Sequence, residues 1–465
     1  MNVQVRFLGG AKTVTGSRYL FDIGNYRLLF DCGMFQGLKE LRLKNWDDFP
    51  VEPSSIHAVI ISHAHIDHTG YLPKLVREGF AGDIFCTEPT AALMEIMLRD
   101  SARLQEEEAA YARHKGYSKH KEPKPLYTTD DVERVFPLLR TYPYGKQFEI
   151  HSSIRAVFSD AGHLLGSAIT ELYIQGDSQL KKITFSGDLG RYTDPILSPP
   201  TAISETDILF IESTYGDKIP DESNVEVELE RIVNETFQKN GLILIPAFAV
   251  GRTQLMMFYL SKLMKEKRIP NVPVYVDSPM AISATYLYAN FPGYHRMGVS
   301  IPGLSESIET DMIVLVKTVE HSQALNSINT SAIIISSSGM MAGGRILHHL
   351  YHRLRRPQDT VLICGYQAAG TRGRDLLEKK TDIRIFGESV PVMCRVENLR
   401  GLSGHADKDE LFRWMGGFMS NPKLVFTVHG EEPGISRYAE AIRKRFGWNV
   451  VTPVYQDQYT LFEGI

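Results

Sequence analysis

The densest concentration of chemistry-bearing side chains in this sequence is His63-Ala64-His65-Ile66-Asp67-His68. It stands directly after the apolar run Ile56–Ser62, which reads as a buried strand. The chain has 15 histidines in 465 residues, so three within six positions beside an aspartate is far from random scatter. Imidazoles and a carboxylate at the mouth of a strand form a donor set suited to zinc. Alternate spacing on an extended turn sends His63 and His65 to one side and leaves Asp67 and His68 for a second position. Two more candidates also follow strand patterns. His163 lies in Ala161-Gly162-His163-Leu164-Leu165-Gly166-Ser167, and Asp188 in Ser186-Gly187-Asp188. Glycine neighbours let the backbone curl so that such side chains reach inward.

The elements that must position these residues fall into two rhythms. Val3, Val5 and Phe7 alternate with polar residues, and the runs 17–23 and 27–32 are joined by Gly24-Asn25, a hairpin signal. A helix is predicted over 69–78, stopping at Gly79, and amphipathic helices over 89–115 and 129–141 flank the polar stretch 116–128. Strands are predicted at 154–159, 168–175, 181–186 and 207–211. After about residue 216, strands at 242–246, 272–276, 332–336 and 360–364 alternate with helices near 252–267, 280–290, 344–354 and 373–380. That alternation implies a parallel sheet. From 393 the mixed character returns, with a strand, a helix after Asp407, a strand at 423–428 and a helix to about 446. The expected organisation is a first domain over 1–215, a second over 216–392, and a return to the first over 393–465.

Composition narrows the class. Hydrophobic residues make up 43% and charged residues 23%, which is globular. No apolar run approaches the ~18 residues that would span a bilayer, and the opening MNVQVRFLGG lacks the pattern of a secretory signal. Cys32, Cys86, Cys364 and Cys394 form no CxxC pair, which argues against a thiolate zinc site or a disulfide scaffold. A cytoplasmic location is expected from that usage. The net charge of −4 lends no support to binding a polyanion through the overall field, so an anionic substrate needs a local positive site.

Three later segments carry further chemistry: Ile211-Glu212-Ser213-Thr214-Tyr215-Gly216, Leu402-Ser403-Gly404-His405-Ala406-Asp407 and Thr427-Val428-His429-Gly430-Glu431. The HxHxDH run, Gly162-His163 and Gly187-Asp188 resemble the metallo-β-lactamase fold. The later trio is similar to the motifs of the β-CASP nucleases, a group that includes ribonuclease J, the polyadenylation endonuclease and its bacterial and archaeal homologues. The resemblance covers essentially the whole chain, with the motifs in the expected order. Neither the C-terminal domain typical of ribonuclease J nor the N-terminal KH pair of some archaeal members is expected.

The resemblance implies an α/β protein: a metallo-β-lactamase αββα sandwich with an inserted β-CASP parallel α/β domain. It implies two zinc ions per chain, although zinc and manganese are not distinguished. One ion is expected on His63, His65 and His163, and the second on Asp67, His68 and His429, with Asp188 bridging. Asp31, at the end of strand 27–31, is expected to orient a ligand without binding metal. The catalytic set is Asp67, Glu212 and His405. A metal-bridged hydroxide attacks phosphorus, His405 protonates the leaving oxygen, and Glu212 holds that imidazole and favours its charged form. Ser338 and Gly339, in the turn Ser336-Ser337-Ser338-Gly339-Met340, match the family's substrate-phosphate loop. Arg252 in FAVGR, and Arg372 and Arg374 in GYQAAGTRGR, can add positive charge there. The run His352-Arg353-Leu354-Arg355-Arg356 reads as a solvated helix end.

The expected activity is zinc-dependent, endonucleolytic RNA hydrolysis leaving 5′-phosphate and 3′-hydroxyl ends. The expected partner is single-stranded RNA threading between the two domains. No membrane partner is expected, and a homodimer is admitted. A small-substrate hydrolase of the same fold fits less well, because it needs neither the insert nor His405. An inactive RNA-binding scaffold fits less well too, since no expected ligand is missing. DNA-directed relatives typically lack histidine at the position matching His429.

Overall fold

The computed structural model describes residues 1–115, 123–177, 179–218, 223–296, 312–368 and 370–465. Part of the polar stretch predicted at 116–128 therefore lies outside the described residues. The chain forms two compact units, one of Met1–Pro220 with His405–Ile465, the other of Asp221–Gly404.

The first unit is built on two seven-stranded sheets. One runs in the order Gln458–Phe462, Val3–Gly9, Arg18–Ile23, Tyr26–Phe30, Ala58–Ile60, Asp83–Cys86, Leu139–Thr141. The other runs Val450–Val451, Leu424–Val428, Ile208–Glu212, Leu180–Phe185, Ala168–Gln175, Ile154–Asp160, Gln147–His151. The inner faces share one core, in which Phe7, Phe21 and Phe30 meet Phe158, Phe185, Phe210 and Phe426. Phe30 and Phe185 stack with ring centroids 3.7 Å apart. On its outer face the second sheet buries Ile169, Leu209, Ile211 and Val425 against the helices Lys408–Met415 and Gly434–Phe446. Leu29, Val59 and Ile84, in register on the outer face of the first sheet, are fully buried as well. This is the αββα sandwich. The Gly24-Asn25 turn forms as read, with Ile23 opposite Tyr26 and Gly24 at φ 57°.

Strand direction decides where the chemistry sits. Tyr26–Phe30 and Ala58–Ile60 run parallel, as do Leu180–Phe185, Ile208–Glu212 and Leu424–Val428. Glu212 therefore ends a strand, and Asp31, the 63–68 run, Asp188 and His429 emerge beyond strand C-termini.

The second unit holds a six-stranded, wholly parallel sheet, ordered Ile313–Leu315, Val274–Val276, Ile333–Ser336, Ile243–Pro246, Thr360–Ile363, Arg395–Asn398. Its central strands are continuous apolar runs, as burial on both faces requires.

Two expectations need correction. Arg395–Asn398 pairs with Thr360–Ile363, so 393–404 belong with the second unit, and the first resumes at His405 rather than 393. The helix predicted over 129–141 is α-helical only at Thr129–Glu133. A short 3-10 turn containing Pro137 follows, and Leu139–Thr141 instead pairs with Asp83–Cys86, gaining a strand partner. No described helix is long and apolar enough to cross a membrane.

Candidate metal centre

Each candidate ligand is held by its local backbone. Beyond Ile60, Ser62 N–H donates to Asp31 Oδ1 (2.8 Å) and Ser62 Oγ donates to Asp31 Oδ2 (2.9 Å). His68 Nδ1 lies 2.7 Å from that same Oδ2, which fixes the ring and turns Nε2 outward. The 63–68 loop is pinned by Ser17 N–H to Asp67 O (2.9 Å) and Cys32 N–H to His68 O (2.8 Å). His163 sits in a turn closed by Ser167 Oγ, which accepts the N–H groups of His163 and Leu164 at 3.1 Å each. Asp188 follows Gly187 at φ 55°, where an added Cβ would stand 2.9 Å from Ala168 O.

Two donor sets result. His63 Nε2 lies 3.0 Å from His65 Nδ1, and His65 Nδ1 lies 3.2 Å from His163 Nε2. Asp188 Oδ2 is 3.5 Å from His63 Nε2 and 3.7 Å from His163 Nε2. In the second set His429 Nε2 is 3.2 Å from His68 Nε2 and 3.3 Å from Asp67 Oδ2. Asp188 Oδ2 is also 3.5 Å from His68 Nε2. A zinc ion holding ligands tetrahedrally at ~2.0–2.1 Å separates them by about 3.4 Å, and these edges match that figure. His63, His65, His163 and Asp188 can thus hold one ion and Asp67, His68 and His429 another, with Asp188 reaching both. Asp188 Oδ2 is the oxygen that reaches both sets, and its Oδ1 is buried without a hydrogen bond, so the carboxylate is not committed to the surrounding protein through that atom.

The electrostatics also favour positive charge. Burial pushes the His68 imidazole down, but Asp188, Asp31 and Asp67 together lift it well above the ordinary histidine range. Burial likewise opposes ionisation of Asp188, yet His429, His68 and His63 hold its carboxyl well below the usual carboxylate range. His63 is held neutral by burial and by repulsion from His68.

Beside these sets, His405 Nδ1 lies 3.3 Å from both Glu212 oxygens and 3.9 Å from Asp188 Oδ2. Glu212 Oε1 accepts Leu189 N–H (2.6 Å) and Oε2 accepts Thr214 N–H (3.3 Å). Leu189 O in turn accepts Ala406 N–H (2.8 Å), which clamps the His405 loop. Asp407 caps the following helix reciprocally with Glu410. Burial acts to lower the His405 imidazole, but Glu212's charge and hydrogen bond, with Asp188 and Asp67, raise it to about 9. Asp188, Glu212 and His405 could also group around an ion. With two backbone N–H groups already on Glu212, the pair reads instead as a proton-holding dyad.

Comparison with known proteins now bears on this geometry. Residues 13–231 match the metallo-β-lactamase superfamily, 253–376 the β-CASP domain, and 389–453 the Zn-dependent metallo-hydrolase RNA specificity domain. Over 428 residues the chain is 37% identical to ribonuclease TTHA0252 of Thermus thermophilus, spanning 91% of this chain and 92% of that protein. The chain belongs to the metallo-β-lactamase-fold β-CASP ribonuclease family. It is also 31% identical over 470 residues to transcription termination factor FttA of Methanocaldococcus jannaschii, covering 98% of this chain and 71% of that one. An RNase J-like protein of the same organism is 29% identical over 456 residues, covering 97% and 98%. The crystal structure of a protein of unknown function from Enterococcus faecalis V583 matches 99% of this chain and 100% of that one, with a TM-score of 0.58 at 15% identity, a likeness of fold alone.

In the β-CASP unit, the four residues expected at phosphate lie beyond the C-terminal ends of the parallel strands. Ser338 Oγ accepts Ala342 N–H (2.9 Å), and Gly339 O accepts Gln367 Nε2 (2.9 Å). A Cβ at Gly339 would stand 3.0 Å from Phe248, in the FAVGR loop. Arg252 opens the helix Arg252–Lys265 and lies close enough to Cys364 for its charge to oppose the burial that pushes that thiol up to about 11. The Arg372 guanidinium donates to Arg384 O (2.8 Å), Met341 O (3.1 Å) and Ala342 O (3.2 Å), so it braces the Ser338 turn from behind. Arg374 is exposed and pairs with Glu378 at 2.7 Å. Arg353 is buried and donates to Leu325 O (2.8 Å), so the predicted solvated helix end is partly anchored inside. Reasoning from sequence gave no role to Ser62, Ser167 or Thr214. Thr214 lay inside a motif already singled out. Ser62 and Ser167 carried no signal beyond their place next to a histidine or in its turn.

Proposed function

We propose that this protein is a zinc-dependent ribonuclease that cuts single-stranded RNA internally and leaves 5′-phosphate and 3′-hydroxyl ends. The observation that carries this is the pair of tetrahedral donor sets sharing Asp188, with the His405–Glu212 dyad alongside. His63, His65, His163 and Asp188 would hold one ion, and Asp67, His68, His429 and Asp188 a second. Bound there, the metals supply a water of lowered pKa and positive charge against phosphate oxygens. The protein's own residues do the rest. Asp31 fixes His68 through Nδ1, so that its Nε2 lone pair faces the centre. His405 stands charged at neutral pH and donates its proton to the departing sugar oxygen, while Glu212 keeps the ring charged and oriented. Ser338, Gly339 and Arg252, on one turn cluster of the β-CASP unit, are proposed to serve the RNA phosphates, with Arg372 supporting them by holding the Ser338 turn.

The test incubates zinc-loaded protein with end-labelled RNA and the matching DNA and maps the ends. Internal RNA cuts with 5′-phosphates are expected, and His405→Ala should retain its metal while losing roughly 10²–10⁴ in kcat. Equal cutting of single-stranded DNA would sink the ribonuclease assignment, and loss of zinc from the His405 variant would make that residue a ligand.

A further inference from the structure

His429 has an unusual backbone for a metal-facing histidine. Its φ is 49°, in the left-handed region that few non-glycine residues adopt. Three contacts hold it there. Its N–H donates to Gly10 O (2.7 Å), and its carbonyl accepts Ser213 N–H (3.2 Å) and the Thr214 hydroxyl (3.2 Å). The same hydroxyl lies 3.1 Å from His429 Nδ1. A hydroxyl has one proton and two lone pairs. With that proton given to the His429 carbonyl, the oxygen meets Nδ1 only as an acceptor, so Nδ1 carries a proton. Asp188 Oδ1 lies 3.3 Å from Nδ1 and Asp67 Oδ2 lies 3.3 Å from Nε2, so the two carboxylates favour neither nitrogen and the hydroxyl decides. Nε2 is then left bare, facing Asp67 Oδ2 and His68 Nε2.

We propose that Thr214 is a positioning residue for His429, its hydroxyl locking both the backbone and the tautomer that turns an unprotonated Nε2 into the second donor set. This rests on the proposed two-metal reading. It gives the motif Glu212-Ser213-Thr214 a second task. Thr214 steadies Glu212 through its backbone N–H and His429 through its side chain, so one residue links the proton-holding dyad to the second set.

Thr214→Val keeps the side-chain shape and removes the hydroxyl, whereas Thr214→Ser keeps the hydroxyl. Chelator-stripped full-length protein is titrated with zinc against a chromophoric competitor, which reads binding without turnover. The wild type should take up two ions. In the valine variant the weaker one should bind about 10–100-fold less tightly, the usual scale for losing a partner of a ligating histidine, with the serine variant close to wild type. Nitrogen-15 histidine spectra of zinc-loaded wild type should show His429 protonated at Nδ1 and ligated through Nε2, a measurement that needs no variant. A valine variant that binds both ions like wild type would overturn the inference, as would equal weakening by serine and valine, or ligation through Nδ1. A wild type that never takes a second ion would overturn the two-metal reading itself, and this inference with it.

Discussion

Replacing Glu212 by glutamine removes one charge from a pocket that leaves the side chain almost no solvent. Glu212 is 1% exposed, and its two oxygens take the backbone N–H groups of Leu189 and Thr214 as well as the His405 ring. Glutamine fits the same volume but presents an NH₂ group to one of these donors. The His405 imidazole is raised from 6.5 to about 9 against the pull of burial. That difference corresponds to about 3 kcal/mol favouring the charged ring, with Glu212 the largest favourable contributor. Without the carboxylate, only Asp188 and Asp67 remain to oppose burial, and the ring titrates lower than in the wild type. At a pH of about 7.5 the charged fraction, above about nine-tenths in the wild type, then falls. The acid form is the one populated below the pKa, so wild-type activity should hold through neutral pH and fall as pH rises towards about 9. In Glu212→Gln that fall should come at lower pH, with kcat down about 10–100-fold near neutrality and partly restored on acidification. The assay is single-turnover cleavage of end-labelled RNA across pH at saturating zinc, with metal content measured in parallel. An alkaline limb that stays in place while the rate drops would refute the claim that Glu212 acts through the charge of His405. Loss of zinc would show it to be a ligand.

Asp188→Ala should take the protein from about two zinc ions per chain to well below one, because one carboxylate reaches both donor sets; retention of a single tight ion would contradict the sharing. At Gly33 an added Cβ would stand 1.6 Å from Asp67 O and 2.8 Å from Ser17 N. Gly33→Ala should therefore cost about 3 kcal/mol or more in chemical denaturation and weaken zinc binding at the Asp67 set; a fully stable, fully loaded variant would mean the loop moves freely. With a net charge of −4, only a few phosphates are expected to be neutralised locally. Single-stranded RNA affinity should then fall with salt at a slope of roughly −2 to −4, and a much steeper slope would point to an extended basic surface.

The parts of the site legible in the sequence are those in which neighbours along the chain are also neighbours in space. His63, His65, Asp67 and His68 fall within six residues, and their strand-then-turn setting follows from the apolar run before them. His163 and Asp188 could be suspected from glycine at strand ends, but their convergence depends on two sheets facing each other, which periodicity does not report. Glu212, His405 and His429 were reached only through resemblance. The hydroxyls of Ser62, Ser167 and Thr214 escaped notice because serine and threonine beside a turn are ordinary, and what distinguishes these three is the partner each oxygen reaches in the fold. The allegiance of Arg395–Asn398 was misread for a related reason. A short edge strand carries no mark of the sheet it joins, and only its pairing with Thr360–Ile363 settles that.

The order in which the chain delivers these residues has a consequence for its synthesis. The four donors of the first set are all in place by residue 188, but His405 and His429 arrive only after the whole β-CASP segment, and the first strand, Val3–Gly9, which pairs early with Arg18–Ile23, gains its second neighbour only in Gln458–Phe462. A growing chain therefore carries the proposed first donor set well before the proposed acid and the last proposed ligand have been added. An RNA-cutting site assembled in this order cannot be complete until residue 429 has joined the chain.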